Sequence, residues 1–261
     1  MVSTAQGIAY SELVVYIPVF LLTAIIIFRH GFQKQLGWIY LTIFCVIQIA
    51  GAIFEIKREQ SPTNKTDIEW AEILQSVGLS PLLMASLGLL KRVTDEVSNH
   101  VRSMNNSFLP TSGIANIVTK RATANSRRSR IIQIAQLLTM IALILCIAGG
   151  IDEAGSKLSE GQKLTKIGIA IFAVIYVLLF ALSVITMKDV GNAPREEKRI
   201  YMVVLIALPL IAVRLLWSIL SAFGQSSDFS LNSPKPLIQL FMATVEEFIV
   251  VVCYTTVGLL I

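Results

Sequence analysis

Charge is scarce in this chain. Charged side chains make up only 15% of its 261 residues, against about 25% in soluble globular proteins. Hydrophobic residues make up 54%, and the mean hydropathy is +0.70. A soluble core of this length cannot bury that much apolar side chain, which excludes a cytosolic enzyme, a disordered chain and a disulfide scaffold. Cysteine is scarce too: Cys45, Cys146 and Cys253 all lie in apolar stretches. No extracellular disulfide is therefore expected, and the three thiols read as small packing residues. The two histidines, His30 and His100, are too few for an HExxH zinc site or a histidine-box di-iron site. No DDxxD pair offers ligands for magnesium-dependent diphosphate chemistry, and Gly-rich phosphate loops are absent. No lysine occurs from Leu237 to Ile261, so the last apolar stretch cannot carry a retinal Schiff base. No metal and no cofactor are expected.

What the chain does contain is long apolar runs. A bilayer core about 30 Å thick needs about 20 mostly apolar helical residues. Stretches at about 8–28, 36–56, 70–90, 131–151, 166–187, 200–224 and 237–261 meet this requirement. Four contain charge-free runs, from Gln35 to Phe54, Ile73 to Leu90, Ile131 to Ile151 and Ile167 to Met187. Such continuity suits helices, since barrel strands would alternate. The expected fold is an all-α, polytopic membrane protein, a single domain of seven transmembrane helices over 1–261. The opening MVSTAQGIAYSELV has no basic segment, so the first span is expected to be retained and not cleaved.

Lysine and arginine set the orientation. Fourteen lie on one side: Arg29, Lys34, Lys91, Arg92, Arg102, Lys120, Arg121, Arg127, Arg128, Arg130, Lys188, Arg195, Lys198 and Arg199. Seven lie on the other: Lys57, Arg58, Lys65, Lys157, Lys163, Lys166 and Lys235. The richer side is expected to be cytoplasmic, with the N-terminus outside and the C-terminus inside. The net charge of +5 reflects this bias toward the inner surface and does not point to nucleic acid. The sequon Asn64-Lys65-Thr66 then lies outside, where Asn64 can be glycosylated; Asn105-Asn106-Ser107 lies inside. The long cytoplasmic connection at about 91–130 opens with Val93, Val97, Val101 and Met104, a helical stripe that carries the third span beyond the membrane. It closes on Arg127, Arg128, Ser129 and Arg130, which read as an anchor to anionic headgroups or as a docking site controlled by phosphorylation of Ser129.

Ionisable side chains inside spans are costly and usually have partners. Arg214 lies about ten residues from the outer end of the sixth span, and Glu246 and Glu247 lie about equally deep in the seventh, roughly 15 Å in. Neighbouring spans and equal depth predict an ion pair. One guanidinium balances one carboxylate, so the second glutamate is expected to hold its proton. Trp217, Ser218, Ser221 and Gln225 continue outward from Arg214 on one face, and Pro209 can open room below. Gln48, Gly51, Ala52 and Glu55 share a face of the second span; Glu72, Gln75 and Ser76 share one of the third, above Pro81; Glu12 and Tyr16 share one of the first. Tyr254 lies two turns beyond Glu247. Together these predict an outward-facing vestibule, acidic at its mouth and closed below by an Arg–Glu pair. The plainer reading of Glu12, Glu55 and Glu72 is solvated helix ends, and that of Arg214 with its partner is a structural pair.

Several short motifs together resemble a known family: Tyr16-Ile17-Pro18, Arg29-His30-Gly31-Phe32, Gly37-Trp38, Gly51-Ala52, Arg214-Leu215-Leu216-Trp217-Ser218 and Glu246-Glu247-Phe248-Ile249-Val250. The chain resembles an uncharacterised fungal family of seven-helix membrane proteins, a domain of unknown function. Its layout is similar to that of fungal lipid-translocating, drug-resistance-type membrane proteins. Gln48 stands where relatives are expected to carry arginine. The resemblance implies a fungal origin and a place near secondary-metabolite pathways, and it supplies no reaction.

The expected partners are the lipid bilayer and a small hydrophobic or amphiphilic molecule, with no nucleic acid; residence is in the plasma membrane or the endoplasmic reticulum. In the leading reading the protein binds or moves that molecule, using Arg214, Trp217, Ser218, Ser221, Glu55, Glu72, Glu12, Gln48 and Tyr254. A G-protein-type receptor would need an Asp-Arg-Tyr-like motif where Leu90-Lys91-Arg92-Val93 stands. A transporter of inverted repeats would show internal symmetry, and none is visible. The alternative is an intramembrane terpenoid-type cyclase or isomerase, with Glu246 or Glu247 as general acid and Trp217, Phe248 and Tyr254 facing a carbocation. A third reading is a structural subunit with no ligand.

Overall fold

The computed structural model describes residues 4–30, 36–60, 65–107, 112–154, 158–191, 194–224 and 244–261. These form eight helices: α1 (Thr4–His30), α2 (Leu36–Gln60), α3 (Lys65–Val77), α4 (Leu79–Ser107), α5 (Ser112–Ala154), α6 (Leu158–Val190), α7 (Arg195–Phe223) and α8 (Val245–Leu260). Five hold segments long and apolar enough to cross a membrane: Gln6–Arg29, Leu36–Gln60, Arg127–Glu153, Leu158–Val190 and Arg195–Phe223. Their outer faces carry bare apolar side chains, such as Val14, Phe28, Val174 and Val177. Surface of this kind is tolerated in lipid and not in water. The chain is an all-helical integral membrane protein.

Contacts between helices fix their directions. Gly149 meets Gly161 and Thr165, and Ala142 meets Gly168; Arg128 pairs with Asp189. α5 and α6 are therefore antiparallel. Tyr201 donates to the Ser183 carbonyl at 2.7 Å and Tyr176 to that of Leu208 at 3.0 Å, so α7 runs back along α6. Arg92 joins Glu197 at 3.3 Å, which ties α4 to α7 at the end rich in basic residues. Successive passages alternate in direction.

The expected third span is not one helix. The apolar run divides at Gly78, with α3 before it and α4 after it. Pro81 explains the break. It has no N–H to give the carbonyl four residues back, and its ring would collide with that carbonyl in a continuous helix. In the first turn of α4 the missing donor costs nothing, because N–H groups there have no partner within the helix. α3 continues the course of α4 along α2: Gln48 faces Gly78, and Gly51 faces Leu74 one turn on. Every residue from Val77 to Leu90 is buried, so the upper part of α4 is covered on all sides, as a helix apolar all round requires.

The stripe of Val93, Val97, Val101 and Met104 is helical as expected, since α4 continues past Leu90 to Ser107. The connection at 91–130 is helical over all its described residues, because α4 runs to Ser107 and α5 begins at Ser112. Within the expected 237–261 stretch, α8 occupies Val245–Leu260, and 237–243 lie outside the described residues, as do Gln225 and the sequon position Asn64. Buried hydroxyls are mostly satisfied within their own helices: Thr23, Thr94, Thr139, Ser183 and Thr186 each donate to a carbonyl three or four residues back. That economy lets small polar residues sit in apolar helices. Cys45 and Cys146 are buried and Cys253 is half-buried, all as free thiols.

Candidate functional site

The passages bring one buried polar cluster together at the end opposite the basic residues. Arg214 lies nine residues before the end of α7, a depth of roughly 14 Å at 1.5 Å per residue. Its Nε donates to Oε1 of Glu247, in the first turn of α8. Its Nη1 donates to Ser218 Oγ at 2.9 Å, one turn along α7, and its guanidinium carbon stands 5.0 Å from the centre of the Trp217 ring. Arg214, Glu247 and Trp217 are all at most 3% exposed. The expected pair between the last two helices is present, and it selects Glu247 over Glu246.

The second oxygen of Glu247 accepts from the Gln48 side-chain amide on α2. Both oxygens thus face donors, the arrangement that a buried carboxylate needs. The break between α3 and α4 lies against this group. A β-carbon on Gly78 would stand 3.2 Å from both Gln48 Nε2 and Glu247 Oε1. A side chain there would press on both groups, and the first turn of α4, the positive end of a helix dipole, starts next to the carboxylate. The sequence placed Gln48 on the inner face but gave no sign that Gly78 belongs to the same cluster.

α1 completes the wall. Glu12 Oε1 accepts from Thr244 Oγ1 at 3.1 Å. Tyr16, 1% exposed, lies edge-on to Phe44 with ring centres 5.9 Å apart. Its hydroxyl is buried without a hydrogen-bond partner among the described residues and sits in the electrostatic field of Glu12, Glu247 and Arg214. Oε2 of Glu246 is likewise buried, with no hydrogen-bond partner among the described residues. The family model described as "Domain of unknown function (DUF7702)" matches residues 2–119 and 112–261, which takes in all of these positions. The chain belongs to this family. No curated protein and no solved structure matches it.

The remaining expected site residues of this DUF7702 member are dispersed. Glu55 pairs with Arg58 at 2.7 Å within its own helix, near enough to Glu12 to act on it electrostatically. Ser221 donates to the Ser218 carbonyl at 3.0 Å. Tyr254 lies deeper, its hydroxyl 2.7 Å from Ser86 Oγ, where it joins α8 to α4. The Glu72 side chain lies outside the described residues. Among the described residues no group of His, Cys, Asp and Glu side chains is arranged to hold a metal ion.

Proposed function

We propose that this is a seven-span membrane protein, with its N-terminus outside and its C-terminus cytoplasmic, that binds or translocates a small hydrophobic or amphiphilic molecule at the Arg214–Glu247–Gln48 cluster. The broken third passage counts as one span and α8 as part of the last. One observation carries the reading: a polar cluster shared by α2, α7 and α8 lies against a helix break, beside a tyrosine hydroxyl that has no partner among the described residues. Interrupted helices that bring polar groups together at depth are a common way to build a solute site within a membrane. Residence in the plasma membrane or endoplasmic reticulum, a fungal origin and a link to secondary metabolism complete the proposal. It also places Asn64 on the outer face. Treatment with an amidase that removes N-glycans should therefore increase the gel mobility of the wild-type protein and leave Asn64→Gln unchanged; identical behaviour of the two would reverse the orientation or leave the sequon unused.

A second reading, an intramembrane acid-catalysed cyclase, is favoured by the buried Oε2 of Glu246, which has no hydrogen-bond partner among the described residues. Glu247 is unsuited to that role, since both its oxygens accept hydrogen bonds. The protein should be extracted with its native lipids and its small-molecule content compared, by mass spectrometry, with that of an unrelated seven-helix protein handled identically. A retained apolar species at near-stoichiometric level is the expected result, and bulk lipid alone would remove the ligand reading. In the same experiment Glu246→Gln should leave that species unchanged. Accumulation of a different, unconverted species would favour the cyclase.

A further inference from the structure

We propose that the ligand is an apolar molecule carrying one protonated amine, held between the Glu12 carboxylate and the Tyr16 hydroxyl. The inference rests on the ligand-site reading above and supplies the chemical class of the head group.

It begins from a charge imbalance around an arginine already in use. Arg214 gives Nε to Glu247, Nη1 to Ser218 and its face to Trp217. An anionic head group beside it would compete with Glu247 for the guanidinium and would come close to the Glu12 and Glu246 carboxyls, which burial already makes costly to ionise. The acidic groups outnumber the basic ones among the described residues of the site. The charges acting on Glu12 are those of Glu247 and Glu55, with no cation among them. Those acting on Glu246 are Arg214, already paired, and Glu247. Two carboxyl groups thus share one guanidinium, and Glu12 has no cation acting on it. In a low-dielectric interior a cationic guest would offset the cost of ionising a buried carboxyl.

Tyr16 marks where the guest sits. Buried hydroxyls nearly always have a partner; this one is 1% exposed and has none among the described residues. It lies within the field of Glu12 and Glu247, one helical turn along α1 from Glu12. A phenol oxygen can accept from an ammonium N–H, as can the Glu12 oxygen that Thr244 does not occupy. Phe44, edge-on to Tyr16, offers an aromatic wall to the adjoining methylene groups.

The test uses the full chain in nanodiscs of zwitterionic lipid, with empty discs as the blank for partitioning. Three probes share one alkyl tail: dodecylamine, dodecanol and dodecanoate. Dodecylamine should bind saturably and roughly tenfold or more tighter than dodecanol, the range expected of a charge-assisted hydrogen bond, with dodecanoate weakest. Glu12→Gln retains an acceptor for Thr244 and should erase the preference for the amine while leaving the unliganded melting temperature near that of wild type. Tyr16→Phe, a second variant that keeps the ring packing, should reduce the preference in part. Equal binding of the amine and the alcohol, tighter binding of the carboxylate, or an unchanged preference in both variants would overturn the inference and leave the ligand-site reading intact. Saturable binding of none of the three probes would overturn both.

Discussion

Arg214→Met is expected to leave little folded protein. The substitution removes the only described cation beside Glu247 and leaves its carboxylate 3% exposed with the Gln48 amide as its remaining donor. Breaking a buried pair from one side costs about 3–5 kcal/mol, a large share of the roughly 5–15 kcal/mol by which native proteins are stable. The double variant Arg214→Met with Glu247→Gln should recover most of the loss, because the introduced amide buries no charge and can still accept from Gln48. Fluorescence-detected size-exclusion of each variant, with melting temperatures in detergent, measures the coupling. A coupling of about 2 kcal/mol or more is expected for groups in direct contact. Equal monodispersity and melting temperature in Arg214→Met and wild type would mean that the pair contributes nothing to the fold.

Gly88→Val is expected to be about as damaging, for a reason unrelated to charge. A β-carbon at this position would stand 2.7 Å from both Cα and N of Gly37. The obstacle is backbone, which cannot rotate away as a side chain does, so α2 and α4 must separate. Small residues permit this kind of close helix approach in membranes, where association depends on packing. Overpacking a tight interface costs about 1–3 kcal/mol and occasionally more. Here the upper end is expected, because the same separation would loosen the contact of Gln48 with Glu247, three turns along α2. Gly191→Ala is the control. Nothing lies within 4 Å of its β-carbon position, and its melting temperature should match wild type. A similar fall in both variants would remove the close-approach argument.

Some of this was readable from residue type and spacing. The depth of Arg214 and of the two glutamates follows from helical rise alone, and a buried charge restricts its choice of partners. The choice between Glu246 and Glu247 was not readable. They lie about 100° apart around the helix, and only the packing of α8 against α7 and α1 decides which one turns inward. The contact of Glu12 with Thr244 joins positions 232 apart in the chain, beyond any local pattern. The break at Gly78 left a mark in the sequence, a glycine followed three residues later by proline. Averaged hydropathy passes over that mark because both halves are apolar. Before 108–111 the stripe of Val93, Val97, Val101 and Met104 marks the extension of α4, whereas after it polar composition reads as loop and hides the start of α5. Gly78 and Gly88 could not be assigned roles, since a glycine's importance lies in what would collide with the side chain it lacks.

The enclosure of Val77–Leu90 also bears on how the molecule is made. That stretch meets no lipid in the finished fold, so it takes its permanent surroundings only when helices made later close around it. α8 emerges after the other described helices and brings Glu247 to Arg214 and Tyr254 to Ser86. Until it docks, Arg214 lacks its Glu247 counter-charge and Ser86 its Tyr254 contact inside the membrane. A nascent chain stalled before α8 would thus display the kind of polar exposure by which quality-control machinery recognises orphaned helices, and α8 acts as the clasp that ends that vulnerable interval.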